Sequence, residues 1–318
     1  MRIIVVTPVF DDWESLTRLV NELNTISAAG EVQIQRVVVV NDCSIAPAPQ
    51  LTQLPRVTLV NLAANLGHQR AIAVGLAYVN DHLADFDAIV VMDSDGEDDP
   101  AYLETFAASL RSEAEAAIVF AERRKRSEGL VFRIGYRLYR LMFQTLTGER
   151  ISFGNFCAIP ASLLQRTVRI PGLWNHFSSS ILHSRIPTRT IATDRRPRYS
   201  GRSRMRLSGL VIHGISAIAT YLDVVVVRLL LLTGGAVVGI LLLLMLIVSI
   251  RVFTDLAIPG WASTVSLALL NFAGQFFVVA LLLLMLHLNQ RAIAYRPITS
   301  FYQEMILSTD VADDGAPS

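Results

Sequence analysis

The sequence predicts an open α/β domain with a mostly parallel sheet, followed by an amphipathic helix and two membrane-spanning helices. Short Val- and Ile-rich runs alternate with amphipathic stretches over the first 120 residues, which is typical of strands buried on both faces of a parallel sheet. The composition is 52% hydrophobic and 17% charged, against about 25% charged in an average soluble domain. The apolar excess lies in residues 229–250 and 256–290. This distribution argues against a purely soluble enzyme and against a transporter with many spans.

The α/β part is predicted from hydrophobic periodicity. The strands are expected at residues 3–10, 37–40, 57–60, 88–92 and 116–120. Helical spacing of apolar residues predicts helices over 16–26, 72–83 and 100–111. Repeated strand–helix–strand units of this kind form an open sheet with right-handed crossovers. The N-terminal apolar run meets two aspartates without a cleavage site, so it is interpreted as a strand and not as a signal peptide.

The membrane part is predicted from length and charge. Residues 207–222 carry one apolar stripe behind an Arg-rich segment, which favours an interfacial helix over an ordinary packed helix. Residues 229–250 would be about 33 Å long as a helix, enough to cross the hydrocarbon core. A second span is predicted over 261–286, with Trp261 at the interface. We expect four regions: an α/β domain (1–206), a juxtamembrane helix (207–227), two transmembrane helices (228–290) and a tail (291–318).

Arginines flank the two spans, and the loop between the spans carries one arginine. The positive-inside rule therefore predicts a multi-pass protein with its α/β domain and C-terminus in the cytosol. Two cysteines are too few for a disulfide framework but could form a single bridge; a reducing compartment for the α/β part is the simpler interpretation. The last eleven residues are predicted to be a disordered acidic tail. Gly234, Gly235 and Gly239 would permit close helix packing in a homo-oligomer.

Polar residues follow four of the predicted strands, at the edge where open α/β sheets bind ligands. They are Asp11, Asp12, Asn41, Asp42, Asn65, Gly67, Asp93 and Asp95. Taken singly, each is as well explained as a helix cap or a turn residue. The strongest signal is VVMDSDGEDDP, in which five acids occur within seven residues after an apolar strand. Such a cluster suits Mg²⁺ or Mn²⁺ bound together with substrate phosphates, although an acidic surface turn is the alternative.

Other catalytic motifs are absent from the sequence. There is no GxxxxGK[ST] loop and no GxGxxG after the first strand, so neither a P-loop nucleotidase nor a dinucleotide oxidoreductase is favoured. The six histidines do not form HExxH, and the two cysteines do not form CxxC. No feature indicates a nucleic-acid partner.

Five motifs in order resemble glycosyltransferase family 2, of the Rossmann-like GT-A fold. The strings are VVTPVFDD, VVVVNDCS, NLGHQRAIAVGL, VVMDSDGEDDP and RPRYSGRSRM. With the two terminal spans they are most similar to the polyisoprenyl-phosphate glycosyltransferases, namely the bactoprenol glucosyltransferases and dolichol-phosphate mannose synthases. The chain departs from the family pattern at a few positions: Asp11 and Asp12 replace Asn-Glu, Cys43 replaces Gly, Glu97 replaces Gln, Asp99 replaces Pro and Arg204 replaces Lys.

The resemblance implies roles for individual residues. Asp12 and Asp42 would contact the base and ribose, with Pro8 shaping the turn and Asn65 and Gly67 completing the nucleotide-sugar site. Asp93 would contact ribose or metal, and Asp95 and Glu97 would bind Mg²⁺ or Mn²⁺. Contacts to the acceptor phosphate would come from Arg123, Arg126 and Arg133. A diphosphate or lipid phosphate would be held by Arg202, Ser203 and Arg204, although these arginines could equally anchor the chain to anionic lipids.

The implied function is an inverting hexosyl transfer from a nucleotide-sugar, with UDP-glucose favoured, to undecaprenyl phosphate or a similar polyprenyl phosphate. The product would be a lipid-linked sugar donor for cell-envelope glycan or lipopolysaccharide modification. The expected location is the bacterial inner membrane. Two alternatives remain: transfer to a lipid hydroxyl acceptor, and a non-catalytic membrane scaffold that binds nucleotide-sugar.

Overall fold

The computed structural model describes residues 1–50, 54–112, 115–123, 130–150, 153–200, 207–254, 260–292 and 295–312. Two compact units make up the chain. The first contains residues 1–137, 150–220 and 295–318, and the second contains residues 138–149 and 221–294.

The first unit is built on an eight-stranded mixed sheet. Its strands are β1 (Arg2–Val9), β2 (Gln33–Asn41), β3 (Val57–Leu62), β4 (Ala88–Val91), β5 (Ile118–Arg123), β6 (Phe153–Pro160), β7 (Thr188–Thr193) and β8 (Ile306–Val311). The spatial order is β7-β5-β6-β4-β1-β2-β3-β8. Strand β1 pairs in parallel with β2 and β4, β2 with β3, and β5 with β7. Strand β6 is antiparallel to β4 and β5, and β8 to β3.

Helices cover the sheet and continue into the second unit. They are α1 (Trp13–Ala29), α2 (His68–His82), α3 (Tyr102–Arg111), α4 (Leu130–Thr147), α5 (Ala161–Thr167), α6 (Phe177–His183), α7 (Leu207–Ala219), α8 (Leu222–Phe253) and α9 (Trp261–Ala292). Each of the five predicted strands and each predicted helix of the α/β part overlaps one of these elements. The predicted α/β fold class is therefore confirmed, with a sheet that is more mixed than expected.

Two hydrophobic cores lie on the two faces of the sheet. In β1, Ile4 and Val6 face one core, and Ile3 and Val5 face the other, as the two-residue period of a strand requires. Helix α2 packs so closely on the first face that a Cβ built on Gly75 would lie 2.6 Å from Val6 Cγ1. This packing holds α2 on the sheet, and α2 begins at His68, beyond the carboxyl end of β3, where the candidate site lies.

The C-terminal segment belongs to the α/β unit. The predicted disordered tail is wrong for residues 308–311, because they form part of β8, whose backbone pairs with the edge of β3. Asn61 Nδ2 donates to Ser308 Oγ at 3.0 Å and to Asp310 Oδ2 at 2.9 Å. Upstream of the strand, Ile298 and Tyr302 are buried in the core. The acidic composition misled the prediction because the side chains of an edge strand are largely solvated.

The second unit contains two long apolar helices. Helices α8 and α9 pack against each other, and few of their residues are buried. Among the described residues, these are the two helices long and apolar enough to span a membrane. Arg228 at the start of α8 donates a 2.7 Å hydrogen bond to the carbonyl of Thr145, near the end of α4. A Cβ built on Gly234, Gly235 or Gly239 meets no atom of the described chain within 4 Å.

Candidate active site

The acidic loop, residues 93–99, leaves the carboxyl end of β4 and is shaped by its own side chains. The buried carboxylate of Asp98 accepts a 3.0 Å hydrogen bond from the backbone N–H of Asp93. Asp95 Oδ1 accepts one of 3.0 Å from the N–H of Glu97. Between them Gly96 has a φ of +84°, the left-handed region that glycine tolerates best. The predicted acids Asp93, Asp95 and Glu97 are thus held in one tight turn.

A second segment, residues 194–200, lies along the acidic loop and is called the strap below. The N–H of Tyr199 donates to the carbonyl of Asp95 at 2.9 Å, and that of Arg196 donates to the carbonyl of Glu97 at 3.2 Å. The ring of Tyr199 packs on Gly96, where a Cβ would lie 2.4 Å from ring carbon Cδ2. Backbone and ring contacts therefore fix the strap on the loop.

Arginines of the strap pair with the acids of the loop. Arg198 places Nη2 2.9 Å from Asp95 Oδ2 and Nε 3.0 Å from Glu97 Oε1. Arg195 pairs with the other oxygen of Glu97, Oε2. Arg196 turns away to Glu22, at 2.9 Å, and to Asp99, at 3.3 Å. The sequence singled out this region as basic but did not predict these pairs.

The charge of Asp95 is unfavourable even with these partners. Burial raises the pKa of Asp95 to about 6, and the neighbouring carboxylate of Asp93 adds to the rise, while Arg198 and Arg195 oppose it. Burial also lowers the pKa of the Arg195 guanidinium. Burial thus disfavours the charged forms of both Asp95 and Arg195, and their mutual attraction opposes this effect.

His68 is a site residue that the sequence reasoning missed. Its Nε2 lies 3.2 Å from Asp93 Oδ1 and 3.1 Å from Asn155 Nδ2. Burial lowers the pKa of His68, but the carboxylates of Asp93, Asp98 and Asp95 outweigh it and the net direction is upward. The available signal was position, since His68 follows Gly67 directly and begins α2 at the carboxyl edge of the sheet.

The predicted nucleotide residues lie at or just beyond the ends of β1, β2 and β3. The carboxylate of Asp42 is buried and accepts hydrogen bonds from the N–H groups of Leu66, at 2.7 Å, and Gly67, at 2.9 Å. Burial raises the pKa of Asp42, and these two bonds oppose the rise. Asp12 caps α1 by accepting from the N–H of Ser15 at 3.4 Å. Pro8 is buried in β1 and Asn65 is exposed.

The predicted phosphate-binding residues are described only in part. Arg123 is the last residue of β5, and Arg133 lies near the start of α4; only their backbone positions are described. Arg126, Arg202, Ser203 and Arg204 lie outside the described residues.

The donor set at the loop suits a divalent cation only in combination with a substrate. Within the described ranges, no group of three or more histidine, cysteine, aspartate or glutamate side chains is arranged to hold a metal ion. Asp93 and Asp95 supply hard carboxylate oxygens, and Mg²⁺ typically takes one or two carboxylates together with substrate phosphates. The residues present fit such a shared site.

Comparison with known proteins shows the family to which the chain belongs. Residues 4–167 match the family described as Glycosyl transferase family 2. The chain belongs to glycosyl transferase family 2. A curated relative, "Putative glycosyltransferases" of Mycobacterium tuberculosis, is 32% identical over 130 residues, which cover 38% of this chain and 36% of the relative. The chain thus spans about a third of the length of that relative.

Solved structures of similar fold include glucosyl-3-phosphoglycerate synthase of M. tuberculosis in complex with Mn²⁺, UDP-glucose and phosphoglyceric acid. The match has a TM-score of 0.51 and 16% identity, and covers 70% of this family 2 chain and 79% of the synthase. Mannosyl-3-phosphoglycerate synthase of Rubrobacter xylanophilus matches with a TM-score of 0.49 and 13% identity, over 69% of this chain and 72% of that one. The first of these likenesses confirms the expected GT-A fold.

Proposed function

We propose that this family 2 protein transfers a hexose from a nucleotide-sugar to a polyprenyl phosphate at the cytosolic face of a bacterial inner membrane. A phosphate oxygen of the lipid attacks the anomeric carbon, the bond from that carbon to the donor diphosphate breaks, and the nucleoside diphosphate leaves with the electron pair. One displacement inverts the anomeric configuration. A phosphate oxygen is already nucleophilic, so this reaction has less need of a strong general base than transfer to a hydroxyl.

The proposal depends mainly on one observation. A chain with a family 2 domain also carries α8 and α9, whose large apolar side chains are exposed along helices of spanning length. Exposed apolar surface on this scale, along helices of spanning length, favours a lipid environment. A lipid acceptor gives the membrane part a direct purpose, since the polar head of a polyprenyl phosphate lies at the membrane surface and its chain lies in the bilayer.

The acidic loop is assigned to the donor diphosphate. Asp93 and Asp95, with Glu97, would hold Mg²⁺ or Mn²⁺, which would stabilise the leaving diphosphate. Asp12, Asp42, Asn65 and Gly67, with Pro8, are assigned to the nucleotide. Phosphate groups are assigned to Arg123, Arg126, Arg133, Arg202, Ser203 and Arg204, because guanidinium forks bind phosphate oxygens in pairs.

UDP-glucose is the first donor to test. The resemblance to bactoprenol glucosyltransferases favours it, and the M. tuberculosis synthase of similar fold was crystallised with UDP-glucose and Mn²⁺. That crystal also contains phosphoglyceric acid, a water-soluble phosphorylated compound, which is therefore included as an alternative acceptor in the test. Homo-oligomers formed through α8 and α9 remain a prediction.

The test incubates the purified whole chain with undecaprenyl phosphate, Mg²⁺ or Mn²⁺ and a panel of UDP- and GDP-sugars, and detects lipid-linked product. Parallel reactions replace the acceptor with diacylglycerol or 3-phosphoglycerate. Product on the polyprenyl phosphate alone supports the proposal, and product on diacylglycerol alone would replace it with the lipid-hydroxyl alternative. No product with any donor would contradict an enzymatic function.

Paired variants sharpen this test. Asp95→Asn should reduce transfer at least about 100-fold, since it removes a charged ligand of the diphosphate site. Asp99→Asn is the matched control, because Asp99 belongs to the same loop but pairs with Arg196. Its transfer rate should stay close to that of the unmodified chain.

A further inference from the structure

We infer that Arg195 and Arg198 are positioning residues that act as internal counter-ions of the acidic loop and make divalent-cation binding dependent on a bound nucleoside diphosphate. The inference rests on the proposed function and adds how the cation and the diphosphate bind. The cation and the diphosphate enter together, and neither arginine needs to leave the site when they do.

The ion pairs occupy the oxygens that a cation would need. Arg198 spans two carboxylates, with one nitrogen on Asp95 Oδ2 and another on Glu97 Oε1. Arg195 takes Glu97 Oε2, so both oxygens of Glu97 have a guanidinium partner. A cation that approaches Asp95 Oδ2 or Glu97 must therefore displace a guanidinium. The guanidiniums of Arg195 and Arg198 thus supply the two positive charges that a divalent cation would bring.

The backbone of the strap is held independently of these ion pairs. Tyr199 donates its N–H to the carbonyl of Asp95 and stacks its ring on Gly96. Arg196 is bound to Glu22 of α1, and the carbonyl of Tyr199 accepts a 3.0 Å bond from Arg18 of the same helix. The guanidiniums can consequently change partners by side-chain rotation while the strap remains in place.

The charge balance explains why a cation alone gains little. An incoming divalent ion brings two positive charges and separates two guanidiniums from their carboxylates, so the net electrostatic change at the loop is small. The ion also finds too few protein ligands, since no three suitable side chains are grouped within the described part of the chain. The small electrostatic gain and the shortage of ligands are two deficits that apply only to a cation that binds without a diphosphate.

A nucleoside diphosphate removes both deficits. Its oxygens complete the coordination of the cation, and its negative charge gives the displaced guanidiniums new partners in charge-assisted, bidentate hydrogen bonds. The same two arginines would then contact the carboxylates in the free protein and the diphosphate in the loaded protein. Cation and diphosphate are thereby coupled through the strap.

The test measures the affinity of the purified whole chain for Mn²⁺, by electron paramagnetic resonance of the free ion, with and without saturating UDP. In the unmodified chain, UDP should tighten Mn²⁺ binding at least about 10-fold, within the usual range of coupling between sites. In Arg198→Gln, Mn²⁺ binding without UDP should tighten several-fold, and the effect of UDP should shrink. Arg198→Lys should restore part of the coupling, because it restores the charge but not the fork.

Arg196→Gln is the matched control. It removes a guanidinium from the same segment, but that guanidinium pairs with Glu22 and Asp99 and not with Asp95 or Glu97. Its Mn²⁺ affinity should equal that of the unmodified chain under both conditions, because the backbone bonds of the strap to the loop and the bond from Arg18 to the carbonyl of Tyr199 remain. Arg195→Gln provides a second variant with the same expectation as Arg198→Gln, in case one of the two does not fold.

The outcomes separate this inference from the proposed function. Folded Arg198→Gln and Arg195→Gln variants that bind free Mn²⁺ no more tightly than the unmodified chain would overturn the inference alone, provided that the unmodified chain binds Mn²⁺ with UDP. An unmodified chain that binds Mn²⁺ equally with and without UDP would overturn it as well. An unmodified chain that neither binds Mn²⁺ with UDP nor transfers sugar would overturn the proposed function.

Discussion

The buried carboxylate of Asp42 accepts a 2.9 Å hydrogen bond from the backbone N–H of Gly67, at the start of α2. Its other oxygen accepts a bond of 2.7 Å from the N–H of Leu66. Gly67 has a φ of +87°, so the turn before α2 is tight. The N–H groups of Leu66 and Gly67 donate to Asp42 and not to a carbonyl of the helix. Asp42 therefore joins the end of β2 to the turn that positions Asn65 and His68.

Asp42→Ala should lower the free energy of unfolding of the α/β unit by about 2 kcal/mol or more. The partly buried N–H groups of Leu66 and Gly67 would lose their acceptor, at about 1 kcal/mol or more each, and relief of the buried charge offsets only part of this cost. The measurement is thermal or chemical unfolding of the whole chain in detergent. Asn65→Ala, at an exposed position of the same turn, should stay within about 0.5 kcal/mol of the unmodified chain. Equal stability of both variants would contradict a structural role for Asp42.

Gly96→Ala should disturb the acidic loop. The φ of +84° disfavours any residue with a Cβ, at roughly 1–2 kcal/mol, and the added methyl group would lie 2.4 Å from the Tyr199 ring. The strap must move, so Mn²⁺ binding in the presence of UDP should weaken measurably in the resonance assay. Gly135→Ala is the control, because a Cβ there meets no atom of the described chain within 4 Å. An unchanged affinity in Gly96→Ala would show that the strap does not depend on this contact.

The sequence was sufficient for the strands that are buried on both faces. Strands β1 to β5 contain the continuous apolar runs that such burial demands, and each was predicted to within a few residues. Strands β7 and β8 were missed because they lie at the two edges of the sheet, where much of each strand is solvated and its composition is polar. Strand β6 was missed because its first half contains glycine and asparagine and its last residue is proline, residue types that are typical of turns.

The candidate site, like the sheet, could be predicted only in part. Asp42, Asp93 and Asp95 were predicted because each lies shortly after a strand, and the carboxyl ends of neighbouring parallel strands meet at one edge. The partners of these acids could not be predicted. Arg198 pairs with Glu97 from 101 residues away, and His68 contacts Asn155 from 87 residues away. Local spacing carries no information on contacts that only the packed tertiary structure creates.

The paired histidines His176 and His213 should make the α/β unit sensitive to acid. Their Nε2 atoms lie 3.2 Å apart, and His176 Nδ1 accepts from the N–H of Ser179, which leaves its proton on Nε2. Burial lowers the pKa of His176 to about 3, and the nearby His213 and His68 add to this effect. Burial also lowers the pKa of His213, although the carboxylate of Asp93 opposes the shift. Because the folded pKa of His176 lies below the ordinary value of 6.5, its contribution to stability is complete above pH 6.5. It is lost as the pH falls from there toward 3.

His176→Asn should therefore reduce the fall in melting temperature between pH 7.5 and pH 5, because asparagine keeps a side-chain oxygen that can cap α6 but does not titrate. His183→Asn, at an exposed position in the same helix, should leave the pH dependence as it is. A His176→Asn variant with the unmodified pH dependence would show that the histidine pair does not govern acid stability.

Removal of the segment after α9 should unfold the α/β unit, contrary to what a solvated tail would predict. A chain that stops after Ala294 loses Ile298 and Tyr302, which are 3% and 0% exposed, and each is worth about 1.5–3 kcal/mol of burial. It also leaves the edge of β3 unpaired, which favours aggregation. A chain that stops after Ala312 keeps both residues and β8 and should melt like the unmodified protein. The measurement is melting temperature and monodispersity in detergent, and equal behaviour of the two truncations would contradict a structural role for residues 295–312.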